Sequence, residues 1–518
     1  MKQATVSFTV LAAAAAMLLA PGTAAAGNAA NPDAIELAPL PMPVEFRSDM
    51  DRPVAFDASA KVVLDCPDAA AVDWLNRHLA EWYGAYAPKA ARGEAGLALR
   101  EGEEAYAVAA DASGVRIAAR TLAGVRWAAY SLRQLAIEKR GTFRTEGYIL
   151  PTCSISDAPH LAFRCVHLCW IPEVRREQIE RAIRLAALFK FNHVVLELFG
   201  SYKSEKHPWW GWPDAKVTKD EIRRLVEIGR DLGVTLIPQI AAYGHAGMGR
   251  CLARKHSILD LRPEYAPLFE PGGWNWCLTN PETQRVLREL MVELLDAFGN
   301  PPYIHLGCDE AQPPTCPECR KRPYGELSCE HIANLAAFAK ARGARAMIWH
   351  DMLLDRGDKR WNGFTACGSK TTATLADTLP KDVIVCDWQY SGAHAGRRDW
   401  PTIAYFREKG FPVAGCPWRN FEAMKPMADF VARVGGFGYI QTTWHHLRGN
   451  DWVKMYRYGA SAAWGTAVRG TGQHGPTPQF DTEFANALRF VGHDMKATDS
   501  RDTGTYEYQI PPAWWPED

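Results

Sequence analysis

The stretch Tyr303-Ile304-His305-Leu306-Gly307-Cys308-Asp309-Glu310 decides how the chain is read, because an apolar run ends there in a glycine and two adjacent carboxylates. Pro301-Pro302 bounds the run on one side and the acids break it on the other, which is the pattern of a short buried strand. Acids at such a strand end either cap the next element or pair with arginines, or they carry chemistry. The neighbouring sequence separates these readings. Strands are predicted over 161–168, 193–198, 234–240, 303–307, 346–349, 383–386, 413–416 and 439–443. Helical spacing is predicted over 177–189 and 330–342, and two more helices are announced by their starts. Thr218 with Glu221 forms a capping box, and Asn280-Pro281 places a cap before a first-turn proline. Strands alternating with helices imply parallel βα units, and eight of them imply an α/β (β/α)8 TIM barrel over 156–475, closed near Gly472. Its active site belongs at the C-terminal ends of the strands, where Asp309 and Glu310 fall.

Upstream, structure is predicted to begin near Val44. A strand over 62–64, a helix over 69–82 with Trp74, Leu75, Leu79 and Trp82 in register, a hairpin over 104–119 about Asp111-Ala112-Ser113-Gly114, and a helix over 122–135 make a small α/β domain at 44–155. Before it, Lys2, the apolar run 6–20 and the small residues Ala24-Ala25-Ala26 read as a signal peptide at 1–26, so the protein is expected to be exported, periplasmic or secreted. Residues 27–43 read as a lead-in, and 476–518 as a terminal helix over 480–491 with a Trp- and Pro-rich tail. No later run is long enough for a membrane span.

The 518 residues carry 59 basic and 59 acidic side chains and 47% hydrophobic residues. Such a balance lacks the basic field that attracts nucleic acid or anionic lipid, so a neutral partner is expected. Nineteen tryptophans suit stacking on sugar rings as well as core packing. Thirteen cysteines, an odd number, leave at least one outside any disulfide. Cys316-Pro-Glu-Cys319, with Cys329 and Cys308 nearby, has the spacing of half a zinc site or of a small disulfide loop.

The predicted strand ends supply the remaining candidates. Arg164 lies in the first strand, where a salt bridge across the barrel mouth is one reading. Glu197 ends the second, His245 follows the third in Tyr243-Gly244-His245, and Trp349, Trp388 and Trp444 end the fifth, sixth and eighth, with Tyr390 two residues past Trp388. Trp209, Trp210, Trp212, Trp274 and Trp276 lie on long loops as candidate walls.

His305-x-Gly307-x-Asp309-Glu310 resembles the signature of glycoside hydrolase family 20, the exo-acting β-N-acetylhexosaminidases. Cys308, where the usual form has a second glycine, resembles the hexosaminidase D branch. The resemblance covers roughly residues 35–470 and implies the barrel, the small domain before it, and a glycan or glycoconjugate substrate with terminal N-acetylhexosamine. It implies that Asp309 orients the acetamido N–H while Glu310 is acid and base in a retaining, substrate-assisted reaction that needs no cofactor. Arg164, Glu197 and His245 would then bind the sugar, and Trp349, Trp388 and Trp444 would box the acetamido methyl, with Tyr390 orienting it. The chain departs from the commoner members after the second strand, where Glu197-Leu198-Phe199-Gly200 lacks their aspartate, and at Pro417-Trp418-Arg419, which lacks their tyrosine. Those departures keep two alternatives open: a weak or inactive glycan-binding barrel, and a family 20 enzyme for a modified amino sugar.

Overall fold

The computed structural model describes residues 38–466 except 143, 172–173, 213–214, 249–257 and 445–450. The expected signal segment, the closure near Gly472 and the helix over 480–491 lie outside the described residues.

Seven strands form the N-terminal sheet: β1 (Glu45–Ala55), β2 (Lys61–Asp65), β3 (Lys89–Arg92), β4 (Tyr106–Asp111), β5 (Gly114–Ala119), β6 (Ile137–Arg140) and β7 (Thr145–Asp157). Their order is β1-β7-β4-β5-β2-β3, with β6 also paired to β7. β2 pairs in parallel with both β5 and β3, and the other pairings of the sheet are antiparallel. Helices α1 (Ala71–Tyr83) and α2 (Leu122–Leu135) follow the predicted apolar stripes, and the β4–β5 turn falls at the predicted hairpin.

The barrel closes through eight strands, all paired in parallel: β8 (Phe163–Cys169), β9 (His193–Glu197), β10 (Thr235–Gln239), β11 (Tyr303–His305), β12 (Arg345–Trp349), β13 (Ile384–Trp388), β14 (Val413–Cys416) and β15 (Gly438–Thr442). Around it lie α3 (Arg176–Leu188), α4 (Lys219–Leu232), α6 (Pro281–Ala297), α7 (Tyr324–Ala341), α9 (Pro401–Glu408), α10 (Phe421–Arg433) and α11 (Asp451–Trp464). Between them come the single turns α5 (Ile258–Leu261) and α8 (Leu375–Thr378). Strands covered on both faces read as nearly unbroken apolar runs, which is why all seven residues of β8 are buried. Inward-facing Cys165, Val195, Ile237, Met347, Ile384, Ala414 and Ile440 fill the barrel as a packed core, so whatever it does must happen at its mouths.

The N-terminal domain is fastened to the outside of the barrel through α1 and α2. Trp74 Nε1 donates to the Asp231 carbonyl (2.8 Å) and Tyr130 Oη to that of Leu232 (2.9 Å), satisfying carbonyls at the C-terminal end of α4 that the helix itself leaves unpaired. Among the described residues no helix is long and apolar enough to cross a membrane.

Candidate active site

The stretch that carries the paired acids leaves β11 through a tight, irregular turn. Gly307, Cys308 and Glu310 have φ of 67°, 72° and 47°, all in the left-handed region. Glycine enters it freely, whereas a side chain costs on the order of 1 kcal/mol or more, so the turn is held by its surroundings. His305 Nδ1 accepts from Gly307 N (3.0 Å) and Asp351 Oδ2 from Glu310 N (2.8 Å). Trp274 Nε1 donates to the Glu310 carbonyl (2.8 Å), and Asn275 clasps Gln312 with one bond in each direction.

His245, reached from β10 through Gly244, brings the two acids together. Its Nε2 lies 3.2 Å from Asp309 Oδ2 and 3.5 Å from Glu310 Oε2, and its ring leans on Trp274 at 4.4 Å. Burial pushes the Asp309 carboxyl up, but the charge and hydrogen bond of His245 outweigh it and hold the group below its ordinary value. Asp351 goes the other way. Burial, and then the charge of Asp309, raise it to about 6.

The aromatic candidates form one continuous surface beside these acids. Trp444 Nε1 donates to Tyr390 Oη (2.9 Å), and Tyr390 packs 4.9 Å from Trp388 and 5.3 Å from Trp418. Trp349 and Trp444 lie 5.6 Å apart, and Trp388 Nε1 donates to Asp351 Oδ1 (3.2 Å). Trp349 is fully buried against the His305 ring at 4.3 Å. Glu197 is held by His167 on the adjacent strand, Nε2 to Oε2 at 3.1 Å, which gives this carboxylate a buried partner at the same mouth.

Arg164 is the correction. It is the second residue of β8 and therefore stands at the N-terminal mouth, away from the acids. There its guanidinium pairs with Glu104 of the N-terminal domain and donates to the carbonyls of Leu161 (2.8 Å) and Lys190 (3.0 Å). The salt-bridge alternative thus describes it, and it is not in reach of a sugar at the other end. Of the expected loop walls, Trp209, Trp210, Trp212 and Trp276 are buried and offer no open face, while Trp274 is half-buried over His245. Asp351, His167, Trp274 and Trp418 complete the site, and of these only Trp274 is among the candidates of the sequence. Asp351 is detectable by the logic that finds Asp309, since it is an acid two residues past the end of a barrel strand.

A closed parallel barrel with acids and aromatic rings gathered at the C-terminal strand ends is the architecture of a barrel enzyme. Two profiles match the chain, "Glycosyl hydrolase family 20, domain 2" over residues 34–158 and "Glycosyl hydrolase family 20, catalytic domain" over 178–404. The chain belongs to glycoside hydrolase family 20. Among curated relatives, the β-hexosaminidase of Vibrio furnissii is 26% identical over 54% of this chain and 49% of its own length. The chitooligosaccharidolytic β-N-acetylglucosaminidase of Bombyx mori is 26% identical over 70% and 59%, and the lacto-N-biosidase of Bifidobacterium bifidum 22% over 56% and 24%. The chain thus spans less than two thirds of each of these relatives. In three dimensions it is similar to the β-N-acetylhexosaminidase of Bacteroides fragilis, with TM-score 0.65 and 18% identity over 92% of this chain and all of that one.

Proposed function

We propose that the protein is an exported, exo-acting β-N-acetylhexosaminidase that removes terminal β-linked N-acetylhexosamine from glycans with retention of configuration. The observation that carries this reading is the adjacency of Asp309 and Glu310 on one turn, both facing His245. Most glycosidases place two carboxyls on opposite sides of the scissile bond, and neighbours on one turn suit the substrate-assisted exception instead. The acetamido oxygen of the sugar attacks its own anomeric carbon as Glu310 protonates the departing oxygen. Asp309, kept ionised by His245, accepts the acetamido N–H and stabilises the charge of the resulting oxazolinium. Glu310 then takes a proton from the water that opens the ring. Trp388 and Trp444, both half-buried, would flank the acetamido methyl, with Tyr390 Oη as the polar contact of the acetamido group and the fully buried Trp349 supporting Trp444 from behind.

Hydrolysis of aryl N-acetyl-β-glucosaminide and its galacto isomer tests the activity. Glu310→Gln should lower turnover by about a hundred- to ten-thousand-fold, most on poor leaving groups. A thiazoline mimic of the oxazolinium should bind far more tightly than the product sugar. Retained binding of chitooligosaccharides with no turnover of either glycoside would make the barrel a glycan-binding protein.

A further inference from the structure

Four side chains that are not among the proposed sugar-site residues converge where the segment 270–277 meets the loop that follows Glu310. Cys277 Sγ lies 3.9 Å from Cys316 Sγ and 3.8 Å from Cys319 Sγ, and these sulfurs and a carboxylate oxygen of Glu270 all fall within 4.8 Å of one another. All described cysteines are free thiols. Thiolates about 2.3 Å from a tetrahedral zinc ion stand roughly 3.8 Å apart, so the sulfur spacing is that of a zinc-thiolate shell.

The surroundings are those of a metal shell as well. Cys319 N donates to Cys316 Sγ (3.3 Å) and Thr279 Oγ1 lies 3.2 Å from Cys319 Sγ, contacts that orient sulfur ligands. Glu270 Oε2 accepts from both Thr315 N and Cys316 N at 2.7 Å, and its carboxylate faces the Cys316 and Cys319 thiols. A carboxylate fixed by two backbone donors among thiols is oriented as a metal ligand is. The apolar packing here is slight, a satellite of Cys277, Cys319 and Leu327 separate from the main core, so the loop between β11 and α7 is held by polar contacts rather than by a core of its own. The partners of Cys316 and Cys319 are therefore neither Cys329 nor Cys308 but Cys277 and Glu270.

We propose that Cys277, Cys316, Cys319 and Glu270 bind one structural zinc ion, which staples the segment carrying Trp274 and Asn275 to the loop that follows Asp309 and Glu310. Three sulfurs and one oxygen at tetrahedral spacing suit a d10 ion of borderline softness rather than a hard, octahedral cation.

Elemental analysis of the full chain, produced with zinc supplied and washed with a weak chelator, should return about one zinc per chain. Cys277→Ser, Cys316→Ser and Cys319→Ser should each lose it, whereas Cys329→Ser should keep it. Should the serine variants prove insoluble, titrating the folded wild type with an organomercurial should release the zinc as three thiols react. Cobalt substituted for the zinc should show thiolate-to-metal charge-transfer bands and the visible spectrum of a tetrahedral ion. A wild-type chain without metal, a disulfide joining any two of these three cysteines, or zinc retained by all three serine variants would overturn the assignment. None of these readings depends on hydrolysis, so they stand or fall apart from the proposed activity.

Discussion

Asp351 and Asp309 are buried carboxyls a short distance apart that the fold treats in opposite ways. The carboxyl of Asp351 is raised to about 6, so the folded protein prefers it neutral. Its contribution to stability is present in full below about pH 4 and is lost as pH rises through about 6. For a fully buried carboxyl, a rise of that size is worth on the order of 3 kcal/mol. Asp351→Asn cannot ionise and should escape that loss, so denaturant unfolding at several pH values should show the variant gaining on the wild type between about pH 4 and about pH 7. Curves that stay parallel across this window would refute the raised carboxyl. Gly244 presents a second residue-scale case. A Cβ built there overlaps the backbone oxygen of Asp309 and comes within 3.1 Å of Ala311 N, so the loop bearing His245 can approach the acid-bearing turn only without a side chain. Gly244→Ala should push the turn aside and lower turnover by about a hundred-fold, the usual effect of a displacement of roughly 1 Å. Wild-type kcat in a correctly folded Gly244→Ala would show that the turn absorbs the methyl.

At the scale of elements, legibility follows burial. The strands of the barrel are apolar on both faces, and each predicted run overlaps its observed strand, with β14 at the predicted bounds. The price of that uniformity is that an apolar run does not say which of its residues faces which mouth, and so Arg164, expected among the sugar-binding groups, stands at the opposite end. β1 and β7 do not read as strands because β1 is mostly polar and buries none of its residues, and Pro151 interrupts the run of β7. α7 begins at Tyr324 rather than at 330 because its first two turns bury Gly325, Leu327 and Ser328 without an obvious stripe. Start signals with a mechanism are more legible. The Thr218 hydroxyl accepts from Glu221 N (3.3 Å) and Glu221 Oε2 accepts from Thr218 N (2.8 Å), so the capping box is formed in both directions. Thr218→Ala should therefore destabilise the protein by about 1 kcal/mol in denaturant unfolding. An unchanged midpoint would mean that water replaces the cap at no cost.

At the scale of the molecule, a buried polar knot joins the N-terminal sheet, the bottom of the barrel and the last described helix. Lys190, just after α3, lies 3.2 Å from Asp157 Oδ2 at the end of β7, and neither side chain is exposed. The same carboxylate accepts from Tyr106 Oη on β4 (2.6 Å) and from Trp464 Nε1 on α11 (2.9 Å). Arg164, paired with Glu104, stacks over the Trp464 ring at 4.9 Å. Removing one member of a buried ion pair strands the other charge in a poorly solvating interior, a loss of about 3–5 kcal/mol, whereas replacing both leaves no orphan. Lys190→Met and Asp157→Asn should thus each destabilise strongly, and the double variant should lose clearly less than the sum of the two. Because the knot stands at the opposite mouth from Asp309 and Glu310, the folded fraction of each variant should keep the wild-type KM for an aryl glycoside. Additive losses in the double variant would mean that the two charges do not depend on each other. A shifted KM would mean that the domain junction reaches the active site, and that the barrel does not separate its two ends as its packed interior implies.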